Sequence, residues 1–363
     1  MSSFQKLTSN RISINGTKIK NNLLVISSGI PSLDYVVVYP SGAIFVVEED
    51  VLGNYSRILN KYFLAEGIIC NHKIFIASAD EVPQDIVKEL PQPCSTSVED
   101  EVTRPSQNFD KMKIAWRYEG LSQVESSFGS DANFGHHFDL SKHIDAETIE
   151  KSNISYCYLD SSKIYSKGFK NGIYFTLLNK ISDVIKDLKT SNMNKNFLRI
   201  SIPSLGSPTW MAMDCDDNTH ENYGQDLLKF IYCLRTIVRD TNVAVFITIP
   251  SHLFDDDHLM KRLLYSVDNA VKLESFTGSS KEANPVYKDY HGLFHITKLS
   301  SLYSMVPFVP PSLDMAFKLK RKKFVIEKLH LPPELQESSE REQDDITSIP
   351  YTCGGLKKKN IDF

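Results

Sequence analysis

Three acids after the apolar run that opens "GAIFVVEEDVLGNYSRILNKYFLAEG", residues 42–67, stand where many nucleotide-binding chains carry a phosphate loop. A loop of the form G-x-x-x-x-G-K-[ST] uses glycine backbone N–H groups to cradle phosphates, a lysine against the β and γ oxygens, and a hydroxyl on magnesium. Aligned on residues 49–56, that pattern puts Glu49 and Asn54 at the glycines, Tyr55 at the lysine and Ser56 at the hydroxyl. Sliding by one residue puts Asp50, Tyr55, Ser56 and Arg57 there instead. Neither register supplies the lysine, and neither supplies both glycines. Glu48, Glu49 and Asp50 at a helix start would repel a nucleotide and are expected to stabilise the first helical turn through its dipole. A magnesium-holding Asp is expected at the end of a later strand, but in "FLRISIPSLGSP" that place holds Pro203. The chain is therefore not expected to hydrolyse ATP by itself.

Other polar groupings carry less chemistry. "NFGHHFDLSKHID" offers His136, His137, Asp139 and His143, but the spacing of His137 and His143 does not fit a helical metal pair, and they read as surface polar residues. No metal site and no catalytic set is assigned. "KLKRKK", residues 318–323, suits RNA backbone, an acidic partner, or protection of an exposed strand edge. Tyr287, Lys288, Tyr290 and His291 suit base stacking or a protein interface, with the interface preferred.

These residues need a scaffold, and the apolar pattern supplies one. Short runs rich in β-branched and aromatic residues recur at 42–49, 73–78, 197–204, 242–250, 269–276 and 292–299. Near-continuous apolar runs predict strands covered on both faces. Between them, Leu177, Leu178, Ile181, Val184, Ile185 and Leu188 form one helical stripe, and Leu227, Leu228, Ile231, Leu234 and Val238 another. Alternating strands and helices predict an α/β fold with a mostly parallel, twisted sheet flanked by helices. Residues 1–22 read as a flexible segment and 23–335 as the domain. Within it, about 92–170 reads as a surface insertion with one strand-like piece at 111–121. Residues 316–333 suggest strand character, as an arm of a late hairpin, and 336–363 a flexible polar tail.

Composition adds bounds. The 363 residues carry 41 basic and 45 acidic side chains, so no global field points to nucleic acid. Six cysteines, 70, 94, 157, 215, 233 and 353, lie scattered without a C-x-x-C pair, as in a reducing compartment. No apolar run approaches the roughly 18 residues of a membrane helix, and residues 1–22 make a poor leader. A soluble chain of cytoplasm and nucleus is expected, with no membrane partner.

"LLVISSGIPSLDYVVVYPSGAIFVVEED" followed by "KYFLAEG" resembles the opening of a RecA-type ATPase domain. Combined with "KMKIAWRY", "LGSPTW", "NPVYKDYHGLFHI" and "AFKLKRKKFVIEKLHLPPEL", the chain resembles the PAXNEB family, subunit four of the eukaryotic Elongator complex. The likeness runs from about residue 23 to 335 and reaches "KKKNIDF" at the end. It implies a RecA-like subunit without standard phosphate-loop motifs, joined with subunits five and six in a hetero-hexameric ring. That ring would meet a catalytic core of subunits one to three, bind tRNA, and serve 5-carboxymethyl-type modification of the wobble uridine. The chemistry on uridine would belong to other subunits.

The resemblance also implies where contacts lie. Lys298 is placed where related rings offer a cation to a neighbour's nucleotide, so Ser56, Arg57 and Lys298 are the candidates for an inter-subunit ATP site, with no intrinsic cofactor. A solvated lysine at a strand end is the better explanation of Lys298 from the sequence. Loops at about 204–224 and 250–262 would face the pore. Their acids, Asp214, Asp216, Asp217, Glu221 and Asp255 to Asp257, oppose phosphate contact and leave His252, Lys261 and Arg262 as RNA candidates. Two alternatives to the scaffold reading are an ATPase completed across subunit boundaries and a nuclear transcription-elongation or chromatin factor.

Overall fold

The computed structural model describes residues 14–20, 23–94, 134–159, 168–190, 196–210, 220–302, 308–310 and 312–330. The chain separates into Met1–Lys328, which holds every element named below, and Leu329–Phe363. An antiparallel ribbon of β1 (Thr17–Lys20) and β2 (Leu23–Ile26) leads into a short helix, α1 (Pro31–Val36). Strands and helices then alternate: β3 (Ala43–Glu48), α2 (Asn54–Ile69), β4 (Lys73–Ser78) and α3 (Pro83–Lys88). After β5 (Pro91–Pro93) come β6 (Phe138–His143), α4 (Ala146–Lys151), β7 (Ile154–Tyr158) and α5 (Gly172–Thr190). Next are β8 (Leu198–Ile202), α6 (His220–Val238), β9 (Val243–Ile249), α7 (Asp257–Ser266) and β10 (Asn269–Ser275). Finally β11 (Gly292–Lys298), β12 (Met315–Leu319) and β13 (Phe324–Lys328) follow in sequence.

One nine-stranded sheet runs β13-β12-β11-β10-β3-β9-β8-β4-β7. From β10 to β7 every pairing is parallel. The β11, β12 and β13 strands extend it antiparallel. This is the α/β architecture with a mostly parallel sheet expected from the strand–helix alternation, with β3 and α2 near its centre.

The continuous apolar run of β3 has a simple cause. Successive side chains of a strand point to opposite faces, and both faces are covered. Ala43, Phe45 and Val47 join a core with Phe63 and Leu59 of α2 and Phe246 of β9. Ile44 and Val46 join a second core with Leu177 and Ile181 of α5 and Leu227 and Leu234 of α6. Phe63 and Phe246 stack at 5.1 Å, and Phe45 and Phe246 at 5.6 Å, so α2 is fixed on the sheet by aromatic packing. Each such ring, fully buried, is worth about 1.5–3 kcal/mol.

The sheet departs from three expectations. Residues 134–159 fall inside the expected surface insertion of 92–170, yet they supply β7, which pairs in parallel with β4 as part of the main sheet. Polar and aromatic residues on its open side (Tyr156 and Tyr158 are exposed) hide the strand from an apolar-run reading. Residues 17–20 of the expected flexible start form β1. The late strand signal is a whole hairpin, with β12 and β13 paired from Met315↔Lys328 to Leu319↔Phe324. The piece at 111–121, the tail at 336–363 and residues 1–13 lie outside the described residues.

Candidate functional site

β3 ends at Glu48, and the chain turns through Gly53 (φ 65°) into α2. The first amides of a helix have no partner within it and are the natural seat of an anion. Here Asp50 fills that seat. Its Oδ2 accepts from the Asn54 N–H at 3.1 Å, and its Oδ1 accepts from the N–H groups of Tyr55 and Ser56 at 3.0 and 3.2 Å. Asp50 is 1% exposed, so the carboxylate is enclosed with its donors. An oxygen of the chain itself sits where a phosphate oxygen would be held.

The three acids part company here. All were expected to serve the first helical turn, but only Asp50 does. Glu49 Oε1 instead accepts from the hydroxyls of Thr248 and Ser204 at 2.5 and 2.9 Å, tying β3 to β9 and to the turn after β8. Burial pushes the Glu49 carboxyl above its ordinary value, against the lowering effect of those two hydroxyls. Glu48 Oε1 takes a long 3.4 Å contact from the Thr297 hydroxyl. Beside them, Asp80 accepts from Ser207 at 2.7 Å and from Thr209, and burial raises its carboxyl as well.

Ser56 is 1% exposed, and its hydroxyl donates to the Gly53 carbonyl at 3.1 Å. Tyr55, at the position of the missing lysine, packs its ring against Phe317 at 4.7 Å and His291 at 6.3 Å. Arg57 is the outward member, with a side chain 58% exposed and 2.7 Å from Glu81. Lys298 lies elsewhere. Its Nζ donates to the Tyr265 carbonyl at 2.6 Å, at the end of α7 that leads into the start of β10. Ser56 and Arg57 sit instead on the first turn of α2, beyond the carboxy-terminal end of β3. Burial, and then Arg235 nearby, lower the Lys298 amine.

His252 occupies the short turn Ser251–Leu253 after β9, and Lys261 and Arg262 are exposed on α7. The same stretch holds Asp256, whose side chain accepts from the His258 N–H to cap α7. Asp214, Asp216 and Asp217 lie outside the described residues. The basic run 318–323 spans the β12–β13 turn: Lys318 and Lys320 reach Glu327 at 2.5 and 3.4 Å, and Lys322 reaches Asp139 at 3.8 Å. Tyr290 donates to the Lys328 carbonyl at 3.4 Å beneath Lys318, whose Nζ stands 5.3 Å from the ring. Those groups hold the antiparallel end of the sheet.

Two features were not legible as sites. A cavity of about 340 Å³ is lined by Lys18, Lys20, Asp34, Tyr35, Phe134 and Phe308. Lys18 and Lys20 stand 5.1 and 5.0 Å from the Phe134 and Phe308 ring centres. The second is a cluster of Glu66, Cys70 and His136. The sequence groups His136 with His137, Asp139 and His143, whereas the fold carries it to α2. Glu66 and Cys70, four apart on a buried helical face, were the available signal.

Against this geometry, comparison with known proteins is decisive. A model of the PAXNEB protein family matches residues 10–363. The chain belongs to the PAXNEB family. "Elongator complex protein 4" of Danio rerio is 40% identical over 359 residues, covering 93% of this chain and 90% of the relative. The Homo sapiens protein of that name is 38% identical over 381 residues, covering 97% and 89%. In Saccharomyces cerevisiae the identity to "Elongator complex protein 4" is 24% over 367 residues, covering 86% and 75%. A solved KaiC-like protein, PH0186 from Pyrococcus horikoshii OT3, aligns with a TM-score of 0.46 at 14% identity, covering 84% of this PAXNEB chain and 99% of its own. Among the described residues, no helix of this PAXNEB protein is long and apolar enough to cross a membrane.

Proposed function

We propose that this PAXNEB chain is a non-catalytic Elongator subunit, partnered by other Elongator subunits, that keeps a RecA-like frame for assembly and leaves nucleotide chemistry to its neighbours. The observation that carries the reading is the Asp50 carboxylate held by three amides at the start of α2. A nucleotide phosphate would have to displace a buried anion already hydrogen-bonded in place, next to the carboxylates of Glu49 and Asp80. In its finer form, the reading has the chain joining subunits five and six in a hetero-hexameric ring beside core subunits one to three. The ring would help hold tRNA during 5-carboxymethyl-type modification of wobble uridine. For tRNA contact, support comes from the cavity where lysines stand over aromatic rings, since unpaired bases stack on such surfaces. Acids around Lys261 and Arg262 weaken the alternative contact there.

A pocket completed between subunits, with ATP as its ligand, is the second reading, and the exposure of Arg57 favours it. Ser56 does not, because its hydroxyl and amide are both engaged inside the chain. Equilibrium binding of a fluorescent ATP analogue separates the two. The isolated chain is expected to show no saturable binding, and the co-expressed assembly with subunits five and six is expected to hydrolyse ATP at an unchanged rate after Arg57→Ala and Lys298→Ala. Saturable binding by the chain alone would overturn the scaffold reading, and a fall of about tenfold in the variant assembly, or about 1.4 kcal/mol, would transfer the assignment to the inter-subunit pocket.

A further inference from the structure

We propose that Glu66, Cys70 and His136 form a binding site for a zinc-class divalent ion, clasping the segment that enters β6 onto the end of α2. One potential ligand atom from each of the three lies within 4.8 Å of the others. Glu66 Oε2 is 3.1 Å from His136 Nδ1, and Glu66 Oε1 is 3.5 Å from Cys70 Sγ. Bonds of about 2.0–2.3 Å to a tetrahedral ion put its ligands roughly 3.3–3.7 Å apart, so the donors would close by about 1 Å at most from their present limit of 4.8 Å. Sulfur, imidazole and carboxylate together are the donor set of a borderline-soft first-row ion rather than of calcium or magnesium.

The surroundings hold the donors in place. Glu66 is fully buried, and the backbone N–H of His136 donates to its Oε2 at 3.2 Å, orienting the carboxylate. Gly16, at φ 63°, passes directly over the thiol: a Cβ there would lie 2.3 Å from Cys70 Sγ. Gly135, at φ 86°, similarly leaves no room for a side chain, since its Cβ would meet Ser27 Oγ at 2.2 Å. The His136 side chain is 45% exposed, which opens a path for the ion and a fourth position for water.

Charge also fits. Without metal, the Cys70 thiol donates to Glu66, and the imidazole faces the same carboxylate. A divalent ion takes the thiol proton's place, releasing one H⁺ to solvent, while a neutral His136 carries its remaining proton on Nε2. Carboxylate and thiolate then balance the two charges of the ion. Arg199 acts on both Glu66 and Cys70 electrostatically, a buried cation that the carboxylate and thiolate also answer.

Cobalt titration of the purified, chelator-treated full chain tests the site. A thiolate-to-cobalt absorption in the near ultraviolet is expected to saturate at one equivalent. Cys70→Ser is expected to abolish it, and His136→Ala to weaken binding by at least about tenfold, or about 1.4 kcal/mol. His137→Ala and Cys94→Ser are expected to leave it unchanged. Absence of the band from the native chain, or its survival in Cys70→Ser, would overturn the proposal. If Cys70→Ser does not fold, unchanged cobalt affinity in His136→Ala, at a half-exposed position, overturns it alone.

Discussion

Arg199 Nε donates a 3.0 Å hydrogen bond to Nδ1 of His72, which obliges that nitrogen to remain unprotonated. The other ring nitrogen, Nε2, lies 2.9 Å from the Asn15 carbonyl and so carries the proton. Burial first, and then the Arg199 charge, push the His72 imidazole down to about 3. In the unfolded chain it titrates near about 6.5. Between these values the unfolded state binds the extra proton, so His72 favours unfolding progressively as pH falls through that window. Asp34, pushed up to about 7 chiefly by burial, acts with the opposite sign, so a variant comparison is needed. Measured by urea unfolding, the stability of native protein relative to His72→Gln should fall on acidification from pH 6.5 toward 3, by at most about 1.4 kcal/mol per pH unit. A pH-independent difference would contradict the assignment.

The same arginine explains a glycine inside α2. Arg199 is fully buried, and besides His72 it donates to the carbonyls of Phe63 and Ser27 at 3.1 and 2.9 Å. A Cβ on Gly67 would stand 2.8 Å from Arg199 Cδ and 3.1 Å from Ile74 Cδ1. Three hydrogen bonds prevent the guanidinium from giving way. Gly67→Ala gains about 1 kcal/mol of helix propensity, but overpacking costs about 1–3 kcal/mol. A lower urea midpoint with an unchanged slope is expected; a stabilised variant would show that Arg199 can move.

Why some of this was legible and some not follows from the range of the interactions. The β3 run and the α2, α5 and α6 stripes announce themselves because each buries residues at its own period. Absence of the lysine and glycines was readable, being a matter of residue type. That acids serve the first turn of α2 was readable as well, but not which one, since capping by Asp50 and bonding of Glu49 to Thr248 depend on which carboxylate faces the helix and which faces β9. Arg199 in "FLRISIPS" gave no sign of burial, because its partners come from β4's start, α2 and the turn after β2. His136 was read with its sequence neighbours, yet its partner Glu66 is 70 residues away. β7 escaped notice for a different reason: an edge strand needs only one buried side chain in alternate positions, and Cys157 fills that role while Tyr156 and Tyr158 face out.

Asp50→Ala tests the cap. Removing the carboxylate leaves the amides of Asn54, Tyr55 and Ser56 without their acceptor. Losing an N-cap of this kind costs about 0.5–2 kcal/mol, and burial of the orphaned donors places the loss toward the upper end. Asp50→Asn retains one acceptor oxygen and should recover part of it. Thermal unfolding of the three proteins at one pH should rank native, then Asn, then Ala. Equal stability of native and Ala proteins would mean that water satisfies these amides as well as Asp50 does.

Glu49 lends itself to the reverse experiment. Its carboxyl is raised in the fold, chiefly by burial, and it receives hydroxyl bonds from Thr248 and Ser204 on one oxygen. A carboxylate raised on folding binds its proton more readily in the native than in the unfolded state. Folding is therefore penalised above the raised value and relieved below the unfolded one. Glutamine keeps an acceptor oxygen for both hydroxyls and carries no charge to desolvate. Glu49→Gln should consequently be more stable than native protein at pH 7, with the advantage shrinking as pH falls toward 4, as read from urea unfolding at each pH. An advantage independent of pH would assign the gain to packing. Destabilisation at pH 7 would mean that the charge itself is needed to hold the two hydroxyls.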